Sequence, residues 1–411
     1  MRRKFFQTGG LKRWQIVLLS LALFLFGFLL FWPKTPQPPN TVASIADLES
    51  YMEKLADFGK PPGMSFVVIK NSHIIYSKAF GWADRPRKLA ATPETVYHWW
   101  SCTKIATAIA ILQLQEQGRL GLDDPVVQHL PFFKVQYPSS ASKTITIQNL
   151  LNHSSGLPDP GFHIMSWIHH DGDPAVNQTA FLRQVLPEYS KLVFEPGDHT
   201  EYSNVGYMVL GAVIEEVTGQ TYEAYIKEHI LDPLGMEHTD FLYTREMEPN
   251  EAAGAHSIFD TWTPLIPFIA WTYVREISGD HVWFKRVYTD QTPPTGLIGS
   301  ATDAALLAAA YLSGGELNGR RILSQESITL MNREGYMKAK EDDPHIFRRQ
   351  GLGWQIYNDR NQLMIRHEGG GLGFNTIIQL YPEEHLGFVI FTNEVKCDSW
   401  RILNLAATLN W

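Results

Sequence analysis

The chain has 411 residues, with 35 Lys and Arg against 43 Asp and Glu for a formal net charge of −8. Five basic residues, Arg2, Arg3, Lys4, Lys12 and Arg13, precede position 14, so residues 14–411 alone carry −13, a balance that argues against a nucleic-acid partner. Two cysteines, Cys102 and Cys397, are too few for a disulfide framework.

Residues 14–32 (WQIVLLSLALFLFGFLLFW) hold no charge, and 19 positions in a helix reach roughly 28 Å at about 1.5 Å each, enough to cross a bilayer. The basic residues before this stretch outnumber the lone Lys34 that closely follows it. The positive-inside rule then places residues 1–13 in the cytoplasm and the rest of the chain in the periplasm or outside the cell. The apolar run is long for a signal peptide and ends Leu29-Leu30-Phe31-Trp32-Pro33, without small residues, which favours an uncleaved single-pass anchor over a removed leader. Residues 33–43, opening PKTPQPP, read as a stiff linker to a globular part at 44–411.

Helical periodicity covers 46–58, and the apolar segments 64–69 and 74–80 flank Asn71-Ser72 as a hairpin would. Residues 98–245 read mostly as helices. From about 350 the apolar runs shorten again, at 352–357, 363–365, 374–381 and 386–392, before a final amphipathic stretch at 400–409. Strands at both ends with helices between predict an α+β class. The expected arrangement is an antiparallel sheet flanked by helices, from 44–97 and 291–411, with a mostly helical part, 98–290, inserted. Between 256 and 295 lies an aromatic run that includes Phe259, Trp271, Tyr273, Trp283, Phe284 and Tyr288. Core packing and a wall or lid near a site are both open for it.

The chemistry concentrates at Ser101-Cys102-Thr103-Lys104, which opens a helix apolar nearly all round at 105–114. A serine hydroxyl attacks poorly until a base takes its proton, and positions three apart share a helix face, so Lys104 sits beside Ser101. Desolvation and the positive end of the helix dipole both push a lysine there toward its neutral, basic form. The bland alternative is a serine N-cap with a surface lysine one turn on. The same spacing recurs at Ser140-Ala141-Ser142-Lys143, but in a polar stretch that reads as loop. Tyr202-Ser203-Asn204 stands at the mouth of another apolar helix, 205–217, and His367-Glu368-Gly369-Gly370 lies between two apolar segments, as at a strand edge or hairpin.

There is no G-x-S-x-G. The cluster His169-His170-Asp171-Gly172-Asp173 lacks the spacing of a helical metal site, and neither a metal nor an organic cofactor is expected. Cys102, beside the candidate nucleophile on a buried helix, reads as packing rather than as a reactive thiol.

In this order the three motifs resemble the serine β-lactamase and penicillin-binding superfamily, closest to its class C β-lactamase-like branch. Asp232-Pro233-Leu234-Gly235-Met236, Gly296-Leu297-Ile298-Gly299-Ser300 and the phrase at 150–158 (LLNHSSGLP) continue the resemblance over roughly 45–410. It implies Ser101 as nucleophile, with Lys104 and Tyr202 as proton relay and the order of those two as bases left open. Asn204 would bond Lys104 and the substrate's acyl side chain, and the Gly370 and Ser101 N–H groups would form the oxyanion hole. Gly369 and Gly370 would allow close approach of substrate to backbone. His367 departs from the many relatives that carry lysine there, which points away from β-lactamase efficiency and toward esterases or D-amino-acid peptidases. A small-molecule or peptide acyl donor is the expected partner. The alternatives are a β-lactamase or D-alanyl-D-alanine carboxypeptidase, or a sensor or scaffold that keeps the fold without turnover.

Overall fold

The computed structural model describes residues 34–140, 142–170, 176–260, 263, 266, 270–333 and 349–411. The chain divides into two units, 1–37 and 38–411. Within the first, residues 34–37 carry no helix or strand, and the basic segment 1–13 and the predicted span 14–32 lie outside the described residues. Among the described residues no helix is long and apolar enough to cross a membrane.

The second unit opens with helix α1 (Ile45–Phe58), which Ser44 caps by accepting from Asp47 N and which Gly59 ends in a left-handed turn at φ 86°. Strands β1 (Gly63–Lys70) and β2 (His73–Asp84) form the expected hairpin, with Asn71 and Ser72 both at positive φ in the turn. Three long helices follow: α2 (Thr103–Glu116), α3 (Asn204–Thr218) and α4 (Ala301–Leu312). The chain closes with β3 (Gln355–Asp359), β4 (Gln362–Gly371), β5 (Phe374–Tyr381), β6 (Leu386–Thr392) and helix α5 (Ser399–Ala406).

The sheet has eight strands in the order Arg349–Gln350, β3, β4, β5, β6, β1, β2, Leu89–Ala90, antiparallel throughout. The first long strand thus pairs with the last, Met64 opposite Thr392 through Lys70 opposite Leu386. Side chains alternate across the pleat. Phe66, Val68, Phe388 and Ile390 pack with Leu48, Met52, Ile402 and Leu403 of α1 and α5. Val67, Ile69, Val389 and Phe391 belong to the larger core that holds α2, α3 and α4. Burial on both faces explains why β1 and β6 read as continuous apolar runs.

The α+β class and the long elements agree with expectation. The inserted part is less helical than predicted: Ala255–Ser257, Val274–Ser278 and His281–Phe284 form a three-stranded antiparallel sheet, and Ile168–His169 pairs with Tyr288–Thr289. Branched and aromatic residues either side of the Gly279 turn (φ 61°) favour pleated over helical backbone. Trp283 is fully buried and Phe284 and Tyr288 nearly so, whereas Trp271 is 57% exposed, so the aromatic run is only partly core.

Candidate active site

Ser101 lies in a single 3-10 turn, Trp100–Cys102, that feeds directly into α2. It does not cap that helix. Cys102 is the N-cap, and no side chain there bonds the helix backbone. Trp100 holds φ at 46°, rare for a bulky residue and the kind of strain that persists where surroundings over-determine it. Those surroundings are visible: Trp99 N donates to the Leu297 carbonyl (2.9 Å), the Trp99 carbonyl accepts from the Thr376 hydroxyl (2.8 Å), and a Cβ on Gly371 would fall 2.8 Å from the Trp100 ring.

The Ser101 hydroxyl is held by two groups, Tyr202 OH at 2.7 Å and Lys104 Nζ at 3.2 Å. Lys104 is fully buried, and its amine also reaches Asn204 Oδ1 at 2.8 Å and the Pro294 carbonyl at 3.0 Å. Burial pushes its pKa down from 10.5 to about 7, against the upward pull of Asp159. A neutral amine has two hydrogens and one lone pair. The Asn204 and Pro294 oxygens can only accept, so they take both hydrogens and leave the lone pair facing the Ser101 hydroxyl.

Each partner is fixed from behind. Asn204 is the first residue of α3, capped by Ser203 accepting from Gly206 N at 3.2 Å. Its backbone N and Nδ2 both donate to Asp159 Oδ1 at 2.9 Å, which determines that Oδ1 is the atom turned to Lys104. His153, at φ 59°, accepts from Ser203 N at 3.2 Å and lays its ring 4.6 Å from that of Tyr202. Pro294 sits in the short turn Thr292–Thr295, where Thr107 donates to the Pro293 carbonyl at 2.7 Å and half-buried Glu223 accepts from the Thr292 hydroxyl. Burial raises the Glu223 carboxyl to about 7.

The third motif forms the opposite wall. Gly369 is pressed against the serine turn: a Cβ there would lie 2.1 Å from Trp99 O and 3.0 Å from Ser101 N. At Gly370 an added Cβ would meet nothing closer than Phe374 O at 3.8 Å. Strand β3 pairs with β4 only from Gln362 to Arg366, whereas β5 pairs from Ile365 to Gly371. Among the described residues, no strand pairs with the outer edge of β4 at 369–371, which leaves that edge open to an extended substrate and to a developing oxyanion. His367 shares the face of Gly369 by strand alternation and is 2% exposed, with Nδ1 3.0 Å from the Glu368 carbonyl. Cys102 packs beneath, Sγ 3.4 Å from His367 O, its thiol pushed up to about 12 by burial.

Of the seven residues singled out in the sequence, Ser101, Lys104, Tyr202 and Asn204 are joined by hydrogen bonds and Gly369 lies against the serine turn, with His367 and Gly370 its neighbours along β4. Ser140, the rival, is exposed on a loop. Asp159, Pro294 and Glu223 had not been singled out. Asp159 follows the LLNHSSGLP phrase and Pro294 precedes Gly296-Leu297, so proximity to those phrases was the available signal.

Comparison with known proteins supplies the family. The Beta-lactamase family model matches residues 48–407. "Protein flp" of Staphylococcus aureus (strain MW2) is 30% identical over 348 residues, covering 84% of this chain and 62% of its own length. "Putative penicillin-binding protein PbpX" of Bacillus subtilis (strain 168) is 35% identical over 224 residues, 54% of this chain and 53% of that protein. The chain therefore spans under two thirds of the length of these relatives. Among solved structures, the octameric penicillin-binding protein homologue from Pyrococcus abyssi superposes with a TM-score of 0.72 at 29% identity, over 89% of this chain and 77% of the other. EstCE1, a hydrolase with promiscuous acyltransferase activity, shares the fold with a TM-score of 0.68 at 24% identity, over 88% and 97%. With its serine turn, tyrosine-asparagine helix mouth and glycine strand in the order the motifs predict, the chain belongs to the beta-lactamase family.

Proposed function

We propose that the chain is a membrane-anchored serine hydrolase that forms an acyl-enzyme on Ser101 with an ester or amide. The observation that carries the reading is the bonding of Lys104, whose two acceptor partners leave its lone pair for the Ser101 proton. As the Oγ–C bond forms, that proton passes to Lys104. The carbonyl oxygen becomes an anion facing the N–H groups of Ser101 and Gly370, and collapse expels the leaving group with a proton delivered through Tyr202. Water then repeats the sequence on the acyl-enzyme and restores Ser101. Asn204 orients Lys104 and reaches the acyl side chain, and Gly369 lets the serine turn sit against β4.

A β-lactamase or carboxypeptidase reading is favoured by the likeness to the Bacillus protein named as a putative penicillin-binding protein. His367, where many relatives carry a fixed lysine cation, weighs against it. Labelling the purified protein with a fluorophosphonate and with a fluorescent penicillin, and following release over time, separates the possibilities. Ser101-dependent fluorophosphonate labelling, together with Ser101-dependent turnover of an ester substrate, supports the hydrolase. Penicillin acylation supports the second reading, and acylation without release supports a sensor. If Ser101→Ala still labels while Ser140→Ala does not, the nucleophile is misassigned. For the anchor, the mature protein should stay in the membrane fraction with its N-terminus intact. A soluble form beginning near Ala43 would contradict it.

A further inference from the structure

Next to the unpaired edge of β4 the protein has a cavity of about 470 Å³, within the size range of small-molecule sites. Gly370 and Gly371 line it beside mainly apolar side chains, Phe162, Ile164 and Met165 from the segment after Asp159, Phe284 from the aromatic run, and Leu372 and Val395, with His256 and Lys396 as its polar members. Phe162 is 70% exposed and Ile164 and Met165 are part-buried, so apolar surface borders the cavity. At the rim, Lys396 bonds Asp260 at 2.9 Å, so this cation is paired within the protein. A second, smaller cavity of about 150 Å³ differs in kind, being lined by the Asp84–Arg275 and Glu251–Arg286 pairs, which satisfy one another.

We propose that this apolar cavity receives the acyl chain of the substrate, so that the preferred acyl donors are esters or amides of neutral, medium-length aliphatic acids. The proposal rests on the acyl-enzyme reading of Ser101 and adds the chemical class of the acyl group. Position decides which half of the substrate enters. The cavity adjoins Gly370, where the acyl carbonyl oxygen would sit, while Ser101, Tyr202 and Asn204 are not among its walls, so it takes the far end of an acyl chain that runs past Gly370, beyond the atoms Asn204 reaches. Chemistry decides the rest. The walls present mainly methyl, methylene, thioether and ring groups, and transfer of such surface out of water favours an aliphatic chain over a charged or peptide side chain. In volume the cavity equals about sixteen water molecules at ~30 Å³ each, room for a chain of about eight carbons with space to spare.

The test is kcat/KM for p-nitrophenyl acetate, butyrate, hexanoate and octanoate with the full chain in detergent. The expected ratio of octanoate to acetate exceeds ten, bounded above by about fourfold per methylene, the value for complete burial. Ala270→Trp, which fills the cavity from a wall position, should bring that ratio down toward one. If the variant loses all rates through misfolding, Phe162→Asp, at an exposed ring, should lower the same ratio at least threefold. A flat or falling series in the wild type, with acetate hydrolysis abolished by Ser101→Ala, overturns the proposal and leaves the hydrolase reading standing. A ratio above ten that neither variant lowers also overturns it. Absence of Ser101-dependent hydrolysis on every ester overturns the underlying reading instead.

Discussion

If buried Lys104 is the base, acylation must follow its protonation. With a folded pKa of about 7, about half the lysine is neutral at pH 7, about a tenth at pH 6 and about 1% at pH 5. For a neutral ester, kcat/KM should therefore fall about fiftyfold from pH 7 to pH 5 and rise only about twofold from pH 7 to a plateau above pH 8. An unshifted lysine at 10.5 would keep the rate climbing tenfold per unit to about pH 10. The assay is the pH dependence of kcat/KM with single-turnover acylation beside it, the apparent value belonging to the Lys104–Tyr202 pair. An inflection above pH 9 would refute the reasoning, because it would mean that the lysine is not desolvated in the working enzyme. The same shift carries a stability slope. Between pH 7 and 10.5 the unfolded chain binds the Lys104 proton and the folded chain does not. The group's contribution is therefore least favourable below pH 7 and is relieved as pH rises, over a span on the order of 5 kcal/mol.

Three further outcomes are expected. Asp159→Asn keeps an acceptor for Asn204 but removes the charge that raises the Lys104 pKa, so the kcat/KM inflection should move to lower pH; a move upward would contradict the electrostatics. Gly369→Ala should cost about 1–3 kcal/mol in denaturant unfolding because its Cβ would fall on Trp99 O, while Gly370→Ala, with nothing closer than 3.8 Å, should stay within about 0.5 kcal/mol. His367→Lys should improve kcat/KM for carboxylate-bearing substrates over their neutral analogues by about 1–3 kcal/mol, and an unchanged ratio in paired substrate assays would make His367 purely structural.

The parts of the site that were legible in sequence are those written in local spacing. Ser101 and Lys104 lie three apart where the serine turn runs into α2, and Tyr202 and Asn204 stand at a helix mouth, so each pair signals itself within four residues. The strands of the main sheet were legible for the same reason, since β1, β5 and β6 are apolar runs of ordinary strand length. What escaped depends on contacts that no window contains. Asp159 meets Asn204 across 45 residues, and the Pro294 carbonyl meets Lys104 across 190. The strands at 255–284 were missed because their aromatic residues alternate poorly and only pairing with one another makes them a sheet. The anchor at 14–32 stays a reading of composition and charge.

Strand β1 lies between β2, its neighbour in sequence, and β6, more than 300 residues later. A chain emerging from the ribosome can thus fold the hairpin and the helices that follow Ser101 and Tyr202, yet it cannot seat β4 against the serine turn until β5 and β6 have been made. Until then it holds a nucleophile with no oxyanion wall. Premature stops anywhere before Leu386 should therefore yield inert protein, however much of the three-residue relay they contain. The same order of assembly keeps acylating chemistry off the unfinished chain.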